Sequence, residues 1–591
     1  MNILGISCFY HDSSAALLQD GKIVAAAQEE RWSRKKHDIS FPENAIRYCL
    51  EEAGLSISQI DAVGFYERPL LKFERLLSSH IETFPKSYKV FVQALPSWIT
   101  EKLRIPSILR KKLKYEGNVF FVDHHMAHAA SSFHASPFEE AAIFTADGVG
   151  EWTTTTLGYG KGTEVSLIKE IHFPHSLGLL YSAVTAHLGF KVNNDEYKVM
   201  GLAPYGKPTY YDEFKKIIDI KEDGSYRLDM SYFTFHYGMR MLSRRFEEKF
   251  GPTRNPSRQR STGPSRSGDL GKESPVEERH KDIAASLQKV VEDVIFKAVN
   301  HLHEITKTKN LCLAGGVALN SVANGKLTRA TPFSKIYVPP APSDPGAAVG
   351  AATVVYHMLL GKPRAAAMDR PDLGPGFSHD AIKKFLDSKG IAYKELAEKE
   401  LIKTVGGLLW ENKVIGWFQG RMEFGERALG NRSILANPCN PEMKDILNLK
   451  VKHREQFRPF APVVTAEDAK DYFEVDIEVP FMSFVYPVRK EKQKLLPAIT
   501  HVDGSGRLQT IRREANPRYY DVIKEFEKHS KVPILVNTSF NIRGEPIVMT
   551  PEHAYRCFTG TGIDYLALDT FLIKREDNQK DLWDSESLAK D

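Results

Sequence analysis

Short apolar runs alternate with polar turns near the N-terminus, in an order that occurs twice. Residues 3–8 read as a buried strand, 15–18 as a second, Asp20-Gly21 as a hairpin turn and 23–28 as a third. The polar stretch His11-Asp12-Ser13-Ser14 separates the first two strands. The same order returns from Ala141: strand 142–146, polar loop Asp147-Gly148-Val149-Gly150-Glu151, strand 153–159, turn Gly160-Lys161-Gly162, strand 164–168. Each copy carries an acidic residue in its first loop. Two unrelated hairpins would give this pattern. A duplicated actin-like ATPase domain also gives it, with the paired loops facing each other across a nucleotide cleft.

Further along, Ile283, Leu287, Val290, Val294, Ala298 and Leu302 recur at three and four, which predicts an amphipathic helix over 281–302. Strand 310–313 ends in Ala314-Gly315-Gly316-Val317-Ala318-Leu319-Asn320, and strand 335–338 ends in Pro339-Pro340-Ala341-Pro342-Ser343-Asp344-Pro345-Gly346; both read as strand-to-helix turns. The fold class expected is α/β. Residues 251–278 are rich in Gly, Pro, Ser and Arg and predict an unpacked surface loop, a basic nucleic-acid tether being the alternative. Residues 361–376 lose all periodicity and predict an interdomain linker. In residues 86–114, aromatic and aliphatic positions mix with Lys and Arg. We expect a helical lid on the cleft, its amphipathic run broken at Pro96 and Pro106, with contact to a membrane surface as the alternative.

A length of 591 residues exceeds one compact core and implies at least two domains, and 42% hydrophobic with 26% charged residues fits a globular chain. The net charge of +5 is too small to suggest a nucleic-acid coat. Five scattered cysteines, Cys8, Cys49, Cys312, Cys439 and Cys557, indicate neither a disulfide framework nor a cysteine zinc site. With no signal-like start and no apolar run long enough to span a bilayer, the expectation is a cytoplasmic protein without a membrane span.

Candidate chemistry begins at His124-His125-Met126-Ala127-His128. On a helix, the i, i+4 pair His124 and His128 shares one face and can share a metal, but the position that holds the zinc-protease glutamate is His125. A pair of histidines is a weak signal alone. Asp147 and Asp344, at strand ends bordering the same cleft, complete an N/O donor set suited to iron, zinc or manganese. Gly315 and Gly316 permit close approach of a nucleotide, with Asn320 as a hydrogen-bonding neighbour. The C-terminal half places Arg421, Arg427, Arg432, Lys452, Arg454, Arg458, Arg507 and Arg543 among small and apolar residues. Such arginines need carboxylate or phosphate partners; pairing with Glu423, Glu426 and Glu455 accounts for part of them. Strand 533–536 delivers Asn537-Thr538-Ser539 at its end, the usual place for a ligand in an α/β sheet.

Taken together, Tyr10-His11-Asp12-Ser13-Ser14-Ala15, Glu29-Glu30-Arg31, Lys36-His37-Asp38, Asp123 to His128, Lys198-Val199-Met200-Gly201-Leu202-Ala203-Pro204-Tyr205-Gly206 and the arginine motifs resemble the O-carbamoyltransferases of the NodU, tobramycin and cephem type over nearly the whole chain. The resemblance implies an actin-like metal and nucleotide domain at 1–362, similar to the tRNA threonylcarbamoyl-transfer enzyme, a linker at 363–376, a YrdC-like domain at 377–575 and a charged tail at 576–591. It implies that ATP, with Mg, and carbamoyl phosphate give a carbamoyl-adenylate, whose carbamoyl group moves to a hydroxyl of a small-molecule acceptor. His124, His128, Asp147 and Asp344 would hold iron or another divalent metal. Lys198, Gly315, Gly316 and Asn320 would hold the adenylate; Arg427, Lys452, Arg458, Arg507, Asn537 and Ser539 would bind carbamoyl phosphate and ATP. His11 with Asp12 would act as base, or only position the acceptor, and Phe9 and Lys36 would lie near it. Where the family has proline before Arg427, this chain has Glu426. No nucleic-acid partner is expected, and a homodimer is compatible. Two other functions stay open: tRNA modification, and a non-enzymatic actin-like nucleotide switch.

Overall fold

The computed structural model describes residues 1–254, 275–364, 367–455 and 457–578. The first sheet comprises β1 (Asn2–Ser7), β2 (Ser14–Gln19), β3 (Lys22–Gln28), β4 (Ala62–Phe65) and β5 (Asn118–Phe121), in the order β3-β2-β1-β4-β5. The second comprises β6 (Glu140–Ala146), β7 (Thr153–Lys161) and β8 (Glu164–His172), then, beyond a two-stranded ribbon of β9 (Ile218–Ile220) and β10 (Tyr226–Leu228), β11 (Asn310–Ala314) and β12 (Lys335–Tyr337). Its order, β12-β11-β6-β7-β8, is the first order over again. In both sheets the three leading strands are antiparallel and the last two join in parallel. The repeated hairpin pattern is therefore one duplicated actin-like unit.

Equivalent helices follow the last strand of each copy, His124–Phe133 after β5 and Asp344–Thr353 after β12. Asp344–Thr353 is built from Asp, Pro, Gly, Ala, Val and Thr and is buried throughout. Its small side chains let two backbones close on it: a Cβ on Gly350 would lie 1.8 Å from Ala127 O, and one on Gly5 would lie 1.9 Å from Ala348 O. The first turns of both helices are thereby held side by side. The predicted helix around 281–302 runs as Glu278–Thr306 and covers the second sheet with Ile283, Leu287, Val290 and Val294.

The C-terminal half is a nine-stranded mixed sheet of β13 (Lys394–Glu395), β14 (Ile415–Phe418), β15 (Arg432–Ala436), β16 (Ala461–Thr465), β17 (Phe484–Pro487), β18 (Ser505–Ile511), β19 (Ile534–Ser539), β20 (Tyr565–Leu568) and β21 (Phe571–Lys574), in the order β13-β21-β20-β14-β15-β19-β16-β18-β17. Helices Glu398–Trp410 and Pro517–Ser530 pack on one face around Trp417, Tyr519 and Phe526.

Three expectations change here. The linker is docked: Arg364 donates to Phe133 O (3.0 Å), Ser136 O (2.7 Å) and Phe138 O (2.6 Å), and Met368 N donates to Ala135 O (2.8 Å). Pro96 does not break its helix, which runs unbroken as Tyr88–Thr100. The expected surface loop has packed ends, with Arg254 buried and donating to Leu188 O, and Glu278 opening a long helix; its residues 255–274 lie outside the described residues, as do residues 579–591 of the charged tail.

Candidate active site

The duplication explains how four distant residues meet. His124 and His128 project from the first equivalent helix, Asp344 opens the second, and Asp147 directly follows β6. Glu151, in the same loop as Asp147, accepts from His124 N at 3.1 Å and ties that loop to the helix start. His124 Nε2 lies 2.9 Å from Asp147 Oδ2, 3.1 Å from His128 Nε2 and 3.7 Å from Asp344 Oδ1; His128 Nε2 lies 3.4 Å from each of the two carboxylates. Donors at ~2.1 Å around one tetrahedral ion would stand ~3.4 Å apart. The observed spacings bracket that value, both imidazoles are fully buried, and their Nε2 atoms converge with the two carboxylates on one point. The set fits a divalent metal.

A chamber of about 300 Å³ opens beside this tetrad, lined by Tyr10, His11, Asp12, Asp147, Gly316, Asn320 and Asp344 among others. A second chamber of about 260 Å³ lies against the C-terminal sheet and holds Arg427, Lys452, Arg454, Arg458, Arg507, Asn537 and Ser539. The two share a wall made of Asp12, Lys36, His37, Tyr197, Met200, Glu426 and Arg427. Tyr197 carries a cation near each side of the partition, Lys36 Nζ at 5.8 Å and the Arg458 guanidinium at 4.7 Å from its ring centre. Glu426, departing from the proline of the resemblance, accepts a hydrogen bond from Ser343 Oγ, one residue before Asp344. It links the arginine chamber to the metal helix, and burial pushes its pKa up.

The second chamber is built for anions. Burial holds the Lys452, Arg454 and Arg507 side chains well below their usual pKa values, and neighbouring arginines lower them further. Arg507 faces Arg427 and Arg458 and leaves Nε buried without a partner. Lys452 Nζ is held by oxygens of Ser539 and Asn541, the Asn541 carbonyl at 3.0 Å and its side chain at 2.9 Å. Glu455 is the carboxylate that pairs here, with Arg543 (3.4 Å), Arg458 and Lys198 (both 3.6 Å). Burial raises its pKa, but these three cations outweigh that and lower it to about 2. Asp12, Glu30, Glu426, Asp503 and Glu545 also line this chamber, yet Arg427, Lys452, Arg454 and Arg507 make no ion pair among the described residues, and buried cations left so suit a phosphate.

Two arginines singled out by sequence serve structure instead. Arg432 is fully buried and donates to Gln419 O (2.7 Å), Asn431 O (3.0 Å), Pro375 O and Gly420 O (both 3.1 Å). Arg421 joins the halves by donating to Val24 O (3.0 Å) and Leu373 O (2.7 Å). Neither Glu423 nor Glu426 pairs with them: Glu423 accepts the backbone N–H groups of Leu429, Asn431 and Arg432.

His11 and Asp12 sit in the wall region with a third residue, His37, which the sequence motif Lys36-His37-Asp38 includes without a role assigned to it. Asp12 accepts from His11 Nδ1 (2.7 Å) and from His37 Nδ1 (2.8 Å), while His37 Nε2 lies 2.9 Å from Asn194 Oδ1. His11 Nε2 donates to Asn193 O at 2.9 Å. Both His11 nitrogens thus face acceptors. Burial alone would lower its pKa, but Asp12 outweighs burial and raises it to about 10. To take a proton from an alcohol, His11 must first release Asn193 and lose its own proton.

Other expected contacts lie elsewhere. Gly316 N donates to Asp147 Oδ1 at 3.1 Å, and Gly315, with φ of 87°, supports that turn without lining a chamber. Asn320 lines the metal chamber but exchanges hydrogen bonds with Gln288, both at 3.0 Å. Lys198 lies behind the partition, on Asp195 (2.9 Å). Asn537 donates to Gln509 Oε1 (2.7 Å) and leaves its own oxygen unpartnered. Phe9 packs on Phe41 and lines neither chamber.

Comparison with known proteins assigns both halves. The carbamoyltransferase N-terminus family profile matches residues 2–353 and the carbamoyltransferase C-terminus profile residues 407–575. Protein sll1178 of Synechocystis is 47% identical over 99% of both chains, and nodulation protein NolNO of Sinorhizobium fredii is 39% identical over 98% of this chain and 81% of its own. Among solved structures, T. kodakarensis HypF aligns over 61% of this chain and 48% of its own, at 16% identity and a TM-score of 0.32.

Proposed function

Because the chain belongs to the carbamoyltransferase family, we propose that it uses ATP to activate carbamoyl phosphate and transfers the carbamoyl group to a hydroxyl of a small-molecule acceptor. The observation that carries this reading is the shared wall between an arginine chamber and a metal-ligand chamber. In the first, Arg427, Lys452, Arg458 and Arg507 hold the phosphates of ATP, with Mg, and carbamoyl phosphate, and balance the charge that moves onto the leaving groups. With water, these substrates give carbamoyl-adenylate, pyrophosphate and phosphate. The adenylate crosses the partition at Tyr197 and Lys36. When bound, iron or another divalent ion at His124, His128, Asp147 and Asp344 would neutralise the adenylate phosphate. The acceptor oxygen attacks the carbamoyl carbon, AMP leaves, and the hydroxyl proton passes toward the Asp12-held histidines.

The test is mass spectrometry of a metabolite extract incubated with the protein, ATP and isotope-labelled carbamoyl phosphate. A labelled carbamoyl ester that needs both ATP and protein supports the reading. Labelled tRNA, with no labelled small molecule, would overturn it.

A further inference from the structure

Beside the metal chamber stands a helical hairpin of Pro69–Thr83 and Tyr88–Thr100, followed by Ile105–Leu113. Its inner seam is aromatic: Phe73 meets Trp98 at 5.7 Å and His80 stacks on Phe91 at 4.1 Å between ring centres. Its root touches the site, since Lys72, paired with Glu67, lies 4.2 Å from the ring centre of Tyr10, and Arg75 donates to Gly150 O at 2.8 Å. At the tip Lys86 Nζ lies 5.5 Å from the Tyr237 ring centre, and these contacts hold the hairpin to the body while leaving Ile81, Phe84 and Tyr88 exposed.

The tip is apolar and exposed. Ile81 is 66% exposed, Phe84 63% and Tyr88 57%, with Leu77 and Val92 one turn further along each helix. Eight of the eighteen exposed large hydrophobic side chains among the described residues fall between Leu70 and Ile99. A hairpin that had buried its apolar positions in one seam would leave a polar outer face. Charge is concentrated here too: residues 69–114 carry ten Lys and Arg against three Glu, more than the whole chain's net charge of +5. Lys86 and Lys89, both exposed, flank the tip.

We infer that this hairpin is a docking surface for an anionic lipid bilayer. Aliphatic and aromatic tips ringed by lysine match a bilayer interface, where the apolar side chains enter the acyl boundary and the lysines meet the headgroups. A nucleic acid would use the cations and leave Ile81, Leu77 and Val92 in water. A second copy would set two cationic segments face to face. No described helix is long and apolar enough to cross a membrane, so the attachment is peripheral.

The test is co-sedimentation of the full-length protein with vesicles of phosphatidylcholine alone or mixed with phosphatidylglycerol. We expect pelleting with the phosphatidylglycerol vesicles, reduced by high salt. The bound-to-free ratio should drop about tenfold or more in I81Q/F84Q/V92Q and in K86E/K89E. These side chains are exposed, so circular dichroism should match the unaltered protein. Failure to pellet, equal pelleting with both vesicle types, unchanged binding of both variants, or a dimer in analytical ultracentrifugation that I81Q/F84Q/V92Q abolishes would each overturn the inference.

Discussion

Replacing Arg507 by methionine should stabilise the empty protein while weakening its hold on phosphates. Arg507 lines the arginine chamber, its charged neighbours are Arg427 and Arg458, and its Nε is buried without a partner. A like-charge pair at ~7 Å costs about 2 kcal/mol at an effective dielectric near 20. Methionine keeps much of the volume and removes two such repulsions, so the ligand-free melting temperature should rise by roughly 2–6 °C. The same change removes a charge-assisted hydrogen bond to phosphate, worth about 1.5–3 kcal/mol, or a ~10–150-fold loss of affinity. Differential scanning fluorimetry measures the first effect, and calorimetric titration with a non-hydrolysable ATP analogue the second. A lower melting temperature with unchanged nucleotide affinity would make Arg507 a structural arginine and refute the reasoning.

The metal set should be separable from activation: Asp344→Asn should remove bound metal, measured by plasma mass spectrometry, and abolish transfer while leaving pyrophosphate release from ATP within about twofold. Gly350→Ala, whose Cβ would meet Ala127 O at 1.8 Å, should cost roughly 3 kcal/mol or more in chemical denaturation and lower metal content by displacing the His124 helix. The His11–Asp12 pair raises His11 and lowers Asp12, so its stabilisation is full between roughly pH 4 and 6.5, is lost as pH rises toward 10 and fades in strong acid; the melting-temperature gap to Asp12→Asn should narrow accordingly. Tyr197→Ala should open the partition and lower the ratio of ester formed to pyrophosphate released by about tenfold, read by paired phosphate and mass assays.

The duplicated strands were legible because short continuous apolar runs and the turns between them are local, and the two sheets repeat them in the predicted order. The meeting of His124, His128, Asp147 and Asp344 was legible for a related reason: the two histidines share a helix face, Asp147 directly follows a strand, and Asp344 lies in a strand-to-helix turn. What stayed hidden depended on contacts across the chain. His37 reaches Asp12 only because the segment after β3 folds back over the first loop. Arg421 and Arg432 look like anion ligands in sequence, yet backbone carbonyls hold Arg432, and Arg421 meets carbonyls together with the distant Glu52 (3.2 Å), partners that leave no signature in the local sequence. Pro96 sits inside the helix Tyr88–Thr100, which forgoes one backbone hydrogen bond there, so proline content alone did not mark a helix end.

The central claim is that one chamber makes an adenylate that the other consumes. It is tested most directly by incubating Asp344→Asn protein with ATP and carbamoyl phosphate and analysing the retained nucleotide by native mass spectrometry. The account predicts bound carbamoyl-adenylate with stoichiometric pyrophosphate, both requiring carbamoyl phosphate. Release of ADP, or pyrophosphate formed without carbamoyl phosphate, would contradict it.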